Sequence, residues 1–118
     1  MGEHPRDLEE RTAWFAANVR SFVRGLPRTI SNIEDVRQLV RASGSVAANC
    51  IEGDEALGNK DRVMRFRICR KEAKECGLWL QLIDVGGDGG VGENHRAALR
   101  QEALELKLIF TAIIKKLE

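Results

Sequence analysis

The chain reads as an all-α protein, an antiparallel up-and-down four-helix bundle. Three observations carry that reading. Apolar residues recur at alternating spacings of three and four through four long segments, the mark of one helical face. No segment alternates polar and apolar residues with the period of two that a half-buried strand needs, and tyrosine is absent. The 118 residues, 43% hydrophobic and 31% charged, suit one globular domain, residues 1–118.

The first segment starts at Leu8, where Leu8, Thr12, Phe15, Val19, Phe22 and Leu26 follow at spacings of 4, 3, 4, 3 and 4. Asp7 is placed to cap its start; Gly25, in a left-handed turn, and Pro27, as a breaker, are placed to stop it. The second carries Ile33, Val36, Val40, Ser43, Ala47 and Cys50, with Ser31 or Asn32 as its cap and Gly53 as its end. Its middle, Ser43 to Ala48, is narrow enough to let a neighbouring backbone approach closely.

The third segment runs from Asn59, its expected N-cap, to about Val85. Phe66, Ile68, Cys69, Ala73, Cys76, Trp79, Leu80, Leu82 and Ile83 spread over an arc broader than one seam requires. Lys60, Arg67, Arg70, Lys71 and Lys74 fall together on the opposite side, whereas Arg65 and Glu72 project into the apolar arc. The fourth follows the loop "GGDGGVGEN" and carries Leu99, Ala103, Leu106, Phe110, Ile113 and Leu117, again spaced 4, 3, 4, 3 and 4. Leu104, Leu108, Ile109 and Ile114 stand outside that stripe; a second apolar face on a surface helix predicts contact with another subunit. Short connections make sequential helices antiparallel neighbours.

A net charge of +1 removes the simplest case for a nucleic-acid or membrane binder, so charge has to be read locally. Between Lys60 and Lys74 there are seven basic and two acidic residues. A solvated helix face is the plain explanation of such a run. Phosphate contact is the functional one, because assembly would repeat the stripe on every subunit and multiply counterion release. Phe66 and Trp79 both lie on the apolar side, so binding by this stripe is expected to be weakly sequence-specific.

Cys50, Cys69 and Cys76 are odd in number and form no CxxC pair, which predicts buried reduced thiols rather than disulfides or zinc. The first residues lack the apolar core of a secretory signal, Arg6 stands where myristoylation wants Ser or Thr, and "LKLIFTAIIKKL" is too short to cross a bilayer. The chain is therefore expected to be soluble and cytoplasmic, with no membrane partner.

Catalytic constellations are not expected. "GDGGVG", Gly87 to Gly92, satisfies the dinucleotide-binding pattern GxGxxG, but a helix precedes it where that pattern needs a strand, so it reads as an inter-helix loop. His4 lies near the terminus and His95 opens the fourth segment, and both are expected to be exposed and inert. Glu72 with Glu75, or with Glu52, would make a metal-binding carboxylate pair only in a bundle carrying ExxH, which is absent. Glu72 is instead expected to pair with Arg65 or Arg41, and no cofactor or metal is expected.

The two central segments resemble a bacterial four-helix-bundle family, the proteins encoded in intervening sequences of large-subunit ribosomal RNA genes. Arg41, Ala42, Ser45, Val46, Asn49, Glu52 and Gly53 carry the resemblance in the second segment. Arg65, Phe66, Lys71, Glu72, Ala73, Lys74 and Glu75 carry it in the third. Cys50 and Ile51 depart from the usual Ile and Ala, with little change in volume. The resemblance implies a bundle that assembles as a homo-oligomeric ring, commonly a pentamer, with no established enzymatic activity. Related accessory proteins of diversity-generating retroelements form basic rings that work with a reverse transcriptase and nucleic acid, so RNA, DNA or a nucleic-acid enzyme is the implied partner. Lys60, Arg67, Arg70, Lys71 and Lys74 would supply phosphate contacts. Arg41, Asn49, Glu52, Arg65 and Glu72 would form a structural polar network, and Leu104, Leu108, Ile109 and Ile114 the oligomer interface. A protein-interaction scaffold with no nucleic-acid role is the alternative expectation.

Overall fold

The computed structural model describes residues 7–87 and 89–118, which form four helices and, among the described residues, no strand. They are α1 (Leu8–Val23), α2 (Ile30–Asp54), α3 (Asn59–Leu82) and α4 (Val91–Leu117). His4 lies outside the described residues.

Asp7 caps α1 as expected, its carboxylate accepting from the Glu10 amide at 2.9 Å. Gly25 is not left-handed, since positive φ occurs only at Gly86, Gly89 and Gly90 among the described residues. Pro27 bars α1 from continuing, because in a longer helix its ring would clash with the carbonyl of Val23, where α1 ends. The cap of α2 is Thr29, two or three residues earlier than expected, accepting from the Asn32 amide at 3.1 Å. Asn32 is instead a buried tie. Its side chain donates to Pro27 O at 2.9 Å and Asp84 O at 2.8 Å and accepts from Asp84 N at 3.0 Å.

The buried line of α2 is Asn32, Leu39, Ala42, Ser43, Val46, Cys50 and Gly53. Ile33 is 50% exposed, and Val36 and Val40 pack only on the margin of the core. Because α2 sits between two neighbours, its buried line faces both, one step round from the stripe expected. Gly53 does not end the helix. It is buried against Phe66, where a Cβ would stand 2.9 Å from two ring carbons.

Asn59 does not cap α3 either; it is the first helical residue, behind Gly58, and its amide donates to Leu117 O at 2.8 Å. At the other end α3 stops at Leu82, and Arg96 from α4 donates to the carbonyls of Leu80 and Gln81, both at 3.2 Å, and of Ile83. These carbonyls have no partner inside the helix, so the guanidinium completes its last turn. Gly90, at φ 97°, leads into α4, which starts at Val91, ahead of His95.

α2 packs on α1 and α3, and α4 on α3 and α1, while the backbones of diagonal pairs stay apart. Neighbours run antiparallel: the start of α3 meets the end of α4 at Asn59, and the start of α2 meets the end of α3 at Asn32. The end of α1 meets the start of α4, where the rings of Phe22 and His95 lie edge-on, 5.2 Å apart. His95 is thus half-buried packing rather than an exposed residue. The core runs through Phe15, Val19, Leu39, Val46, Cys69, Leu80, Leu106 and Phe110, with Phe66 stacked on Phe110 at 6.0 Å.

Along α4 the buried line is Leu99, Ala103, Leu106, Phe110 and Ile114. Ile114, expected on an outer face, is 3% exposed and belongs to the core. A strict alternation of three and four drifts by about 20° per heptad against a straight helix, and after two heptads Ile114 has replaced Ile113 at the centre. Ile109 is half-buried, while Leu104 and Leu108 face outward. No described helix is long and apolar enough to cross a membrane.

Candidate nucleic-acid interface

α3 presents two different polar surfaces, one against α2 and one toward α4 and solvent. In the α2/α3 seam Glu72 is 6% exposed and lies 3.4 Å from both terminal nitrogens of Arg41. Ser45 Oγ stands 3.5 Å from the same carboxylate, and Arg41 also reaches Glu75 at 3.8 Å. Asn49 donates to Ser45 O at 3.0 Å and to Ser45 Oγ at 3.1 Å, while Arg65 donates to Asn49 Oδ1 at 3.2 Å. The partner of Glu72 is therefore Arg41; Arg65 turns to Asn49 and, at 3.9 Å, to Asp61. Glu52 stands exposed and, among the described residues, no hydrogen bond or ion pair joins it to this seam. Ser45 and Glu75 were overlooked as members, although each lies one turn from a recognised one.

The second surface is cationic. Lys60, Arg67, Lys71 and Lys74 are exposed and Arg70 is half-buried. Arg67 pairs with Glu118. Lys60, Arg70, Lys71 and Lys74 have no ion pair among the described residues. Three arginines elsewhere are neutralised: Arg11 by Glu102 at 2.7 Å and Glu105 at 2.8 Å, Arg37 by Glu34 at 2.6 Å, Arg96 by Glu93 at 2.8 Å. The same contacts hold the Glu93 and Glu105 carboxyls below their ordinary range, the latter helped foremost by a hydrogen bond from Gln101.

Beside this ridge a groove of about 470 Å³ runs between α3 and α4. Lys74, Ala73, Gly77 and Gln81 line it from α3; Arg100, Lys107, Leu104, Gln101, Ala97 and Ala103 line it from α4. No carboxylate lines it, and Arg100 and Lys107 have no ion pair among the described residues. Sequence reasoning missed both. Their spacing of seven residues put them on one line of α4, but only packing shows that the line faces Lys74. A second hollow, of about 860 Å³, holds Lys60 and Arg67 with Val63, Met64 and Leu117.

The class these observations define is a four-helix bundle with a charged seam on one side of α3 and uncompensated cations on the other. No family model and no curated protein matches the chain. Among solved structures it is similar to a protein of unknown function from the S23 ribosomal protein family of Bacteroides thetaiotaomicron. The two are 21% identical, the match covers 92% of this chain and 99% of that one, and the TM-score is 0.78. At that identity the likeness is one of fold.

Proposed function

We propose that the chain is a non-catalytic accessory protein of the intervening-sequence type. It acts in the cytoplasm as a homo-oligomeric ring, a pentamer, and binds RNA or DNA, or a nucleic-acid enzyme carrying it, through the basic face of α3. The observation that supports this reading is that Lys60, Arg70, Lys71 and Lys74 share one helix face and have no ion pair among the described residues. Uncompensated cations can neutralise phosphates and so release the counterions condensed on a nucleic acid.

The test is a salt titration of binding to a labelled single-stranded RNA. The logarithm of affinity falls linearly with that of salt, and Arg70→Glu with Lys71→Glu weakens binding and flattens the slope by about 1.4, at about 0.7 per phosphate contact. Salt-independent binding, or an unchanged slope in the variant, refutes the reading. Met64, Leu78 and Leu82 stand half-exposed along the same helix and favour a second reading, a protein-binding scaffold. That reading requires a captured partner to survive both nuclease treatment and the charge reversals.

A further inference from the structure

We infer that the groove between α3 and α4 seats the sugar-phosphate backbone of a single nucleic-acid strand, held by Lys74 on one bank and Arg100 and Lys107 on the other. The inference rests on the nucleic-acid reading above and adds to it a second element and two phosphate ligands.

Charge is the first reason. The three cations share a groove of about 470 Å³ with no carboxylate in its lining, and none of them has an ion pair among the described residues. Of the two glutamines there, Gln101 is engaged with Glu105 at 3.0 Å, and Gln81 has no hydrogen bond from its side chain among the described residues.

Spacing is the second. Arg100 and Lys107 are two helical turns apart, about 10 Å at 1.5 Å per residue. Two cations that far apart serve two different phosphates of a chain better than a lone phosphate ion. Shape is the third. On the floor, Ala73, Gly77 and Ala97 carry nothing beyond a Cβ, leaving a trough between the helices in which a backbone can lie. No aromatic residue lines it, so bases have no stacking platform and recognition is of the backbone, indifferent to sequence.

The experiment measures anisotropy of a labelled unstructured RNA of about 20 nucleotides with the full chain. At 0.1 M salt Arg100→Gln and Lys107→Gln each weaken binding about 5-fold, the pair about 25-fold, and the salt slope of the pair falls by about 1.4. Lys115→Gln with Lys116→Gln removes the same charge from the end of α4, outside the groove, and changes affinity less than about 2-fold. Circular dichroism and a melting curve confirm that each variant is folded. An equal loss in the Lys115/Lys116 pair overturns the groove in favour of diffuse attraction. So does an unchanged Arg100/Lys107 pair alongside weakened Arg70/Lys71 variants, an outcome that leaves the nucleic-acid reading intact. A duplex of the same length that loses affinity equally overturns the single-strand assignment, and a wild-type chain that binds no RNA refutes both proposals.

Discussion

Two glycines of this bundle should respond to alanine with opposite signs. In a helix interior alanine is favoured over glycine by about 1 kcal/mol. At Gly77 no atom lies within 4 Å of the added Cβ, so Gly77→Ala should stabilise by about that amount. At Gly53 the Cβ would press on Phe66, a ring 4% exposed and stacked on Phe110. Overpacking of this kind costs about 1–3 kcal/mol, so Gly53→Ala should destabilise by about 1 kcal/mol net. Urea unfolding of the two variants decides it; a stabilised Gly53→Ala would show that Phe66 moves aside freely. Arg41→Ala should cost about 1–3 kcal/mol, because it leaves the Glu72 carboxylate facing only Ser45. Adding Glu72→Gln to that variant should recover part of the loss, measurable as non-additivity in a double-mutant cycle.

The thiols give a pH prediction. Burial pushes Cys50, Cys69 and Cys76 up to about 12 from an ordinary 9.0. Between those values the folded chain keeps its thiols protonated while the unfolded chain ionises. Their contribution is therefore intact below about pH 9 and lost as pH rises toward 12. Unfolding free energy should fall between about pH 9 and pH 12, and a thiolate-seeking reagent at pH 8 should label three thiols only in denaturant. Rapid labelling of the native protein would contradict their burial. The burial was legible in the sequence, from thiols at helical spacing with no pairing pattern. The reason for Gly53 was not, because Phe66 meets it from another helix.

At the scale of elements, all four helices were legible and their ends less so. Asp7 was found because a cap lies beside the turn it serves. Asn32 and Asn59 read as caps by residue type, yet both bind carbonyls of other elements. Asn32→Ala should cost about 2–3 kcal/mol, since it removes three part-buried hydrogen bonds to Pro27 and Asp84 together, at about 1 kcal/mol each. An ordinary surface-cap loss of about 1 kcal/mol would refute its role as a tie. The drift that carries Ile114 into the core belongs to this scale too. Spacing counts are reliable over two turns and slip by a residue over about four.

For the whole molecule, the outward faces of Leu104 and Leu108, 45% and 54% exposed, are what remains of the apolar surface expected to join subunits. Sedimentation at micromolar concentration should give a species heavier than the 13.2 kDa chain, and Leu104→Glu with Leu108→Glu should return it to a monomer. A wild-type chain sedimenting as a monomer would refute the ring. Leu104 also lines the groove with Arg100 and Lys107. A neighbouring subunit docked there would form part of the trough's rim, so RNA affinity should rise with protein concentration in the range where assembly occurs.

Helix number, order and antiparallel sense, the sheltered thiols and the cationic side of α3 all follow from local periodicity and composition, which a linear sequence carries in full. Tertiary structure alone decided which flank of α2 is buried, that Arg41 and not Arg65 meets Glu72, and that Arg100 and Lys107 face Lys74. Each depends on the rotation of one helix against another, and a slip of one residue turns a helix by about 100°, enough to exchange core, seam and groove.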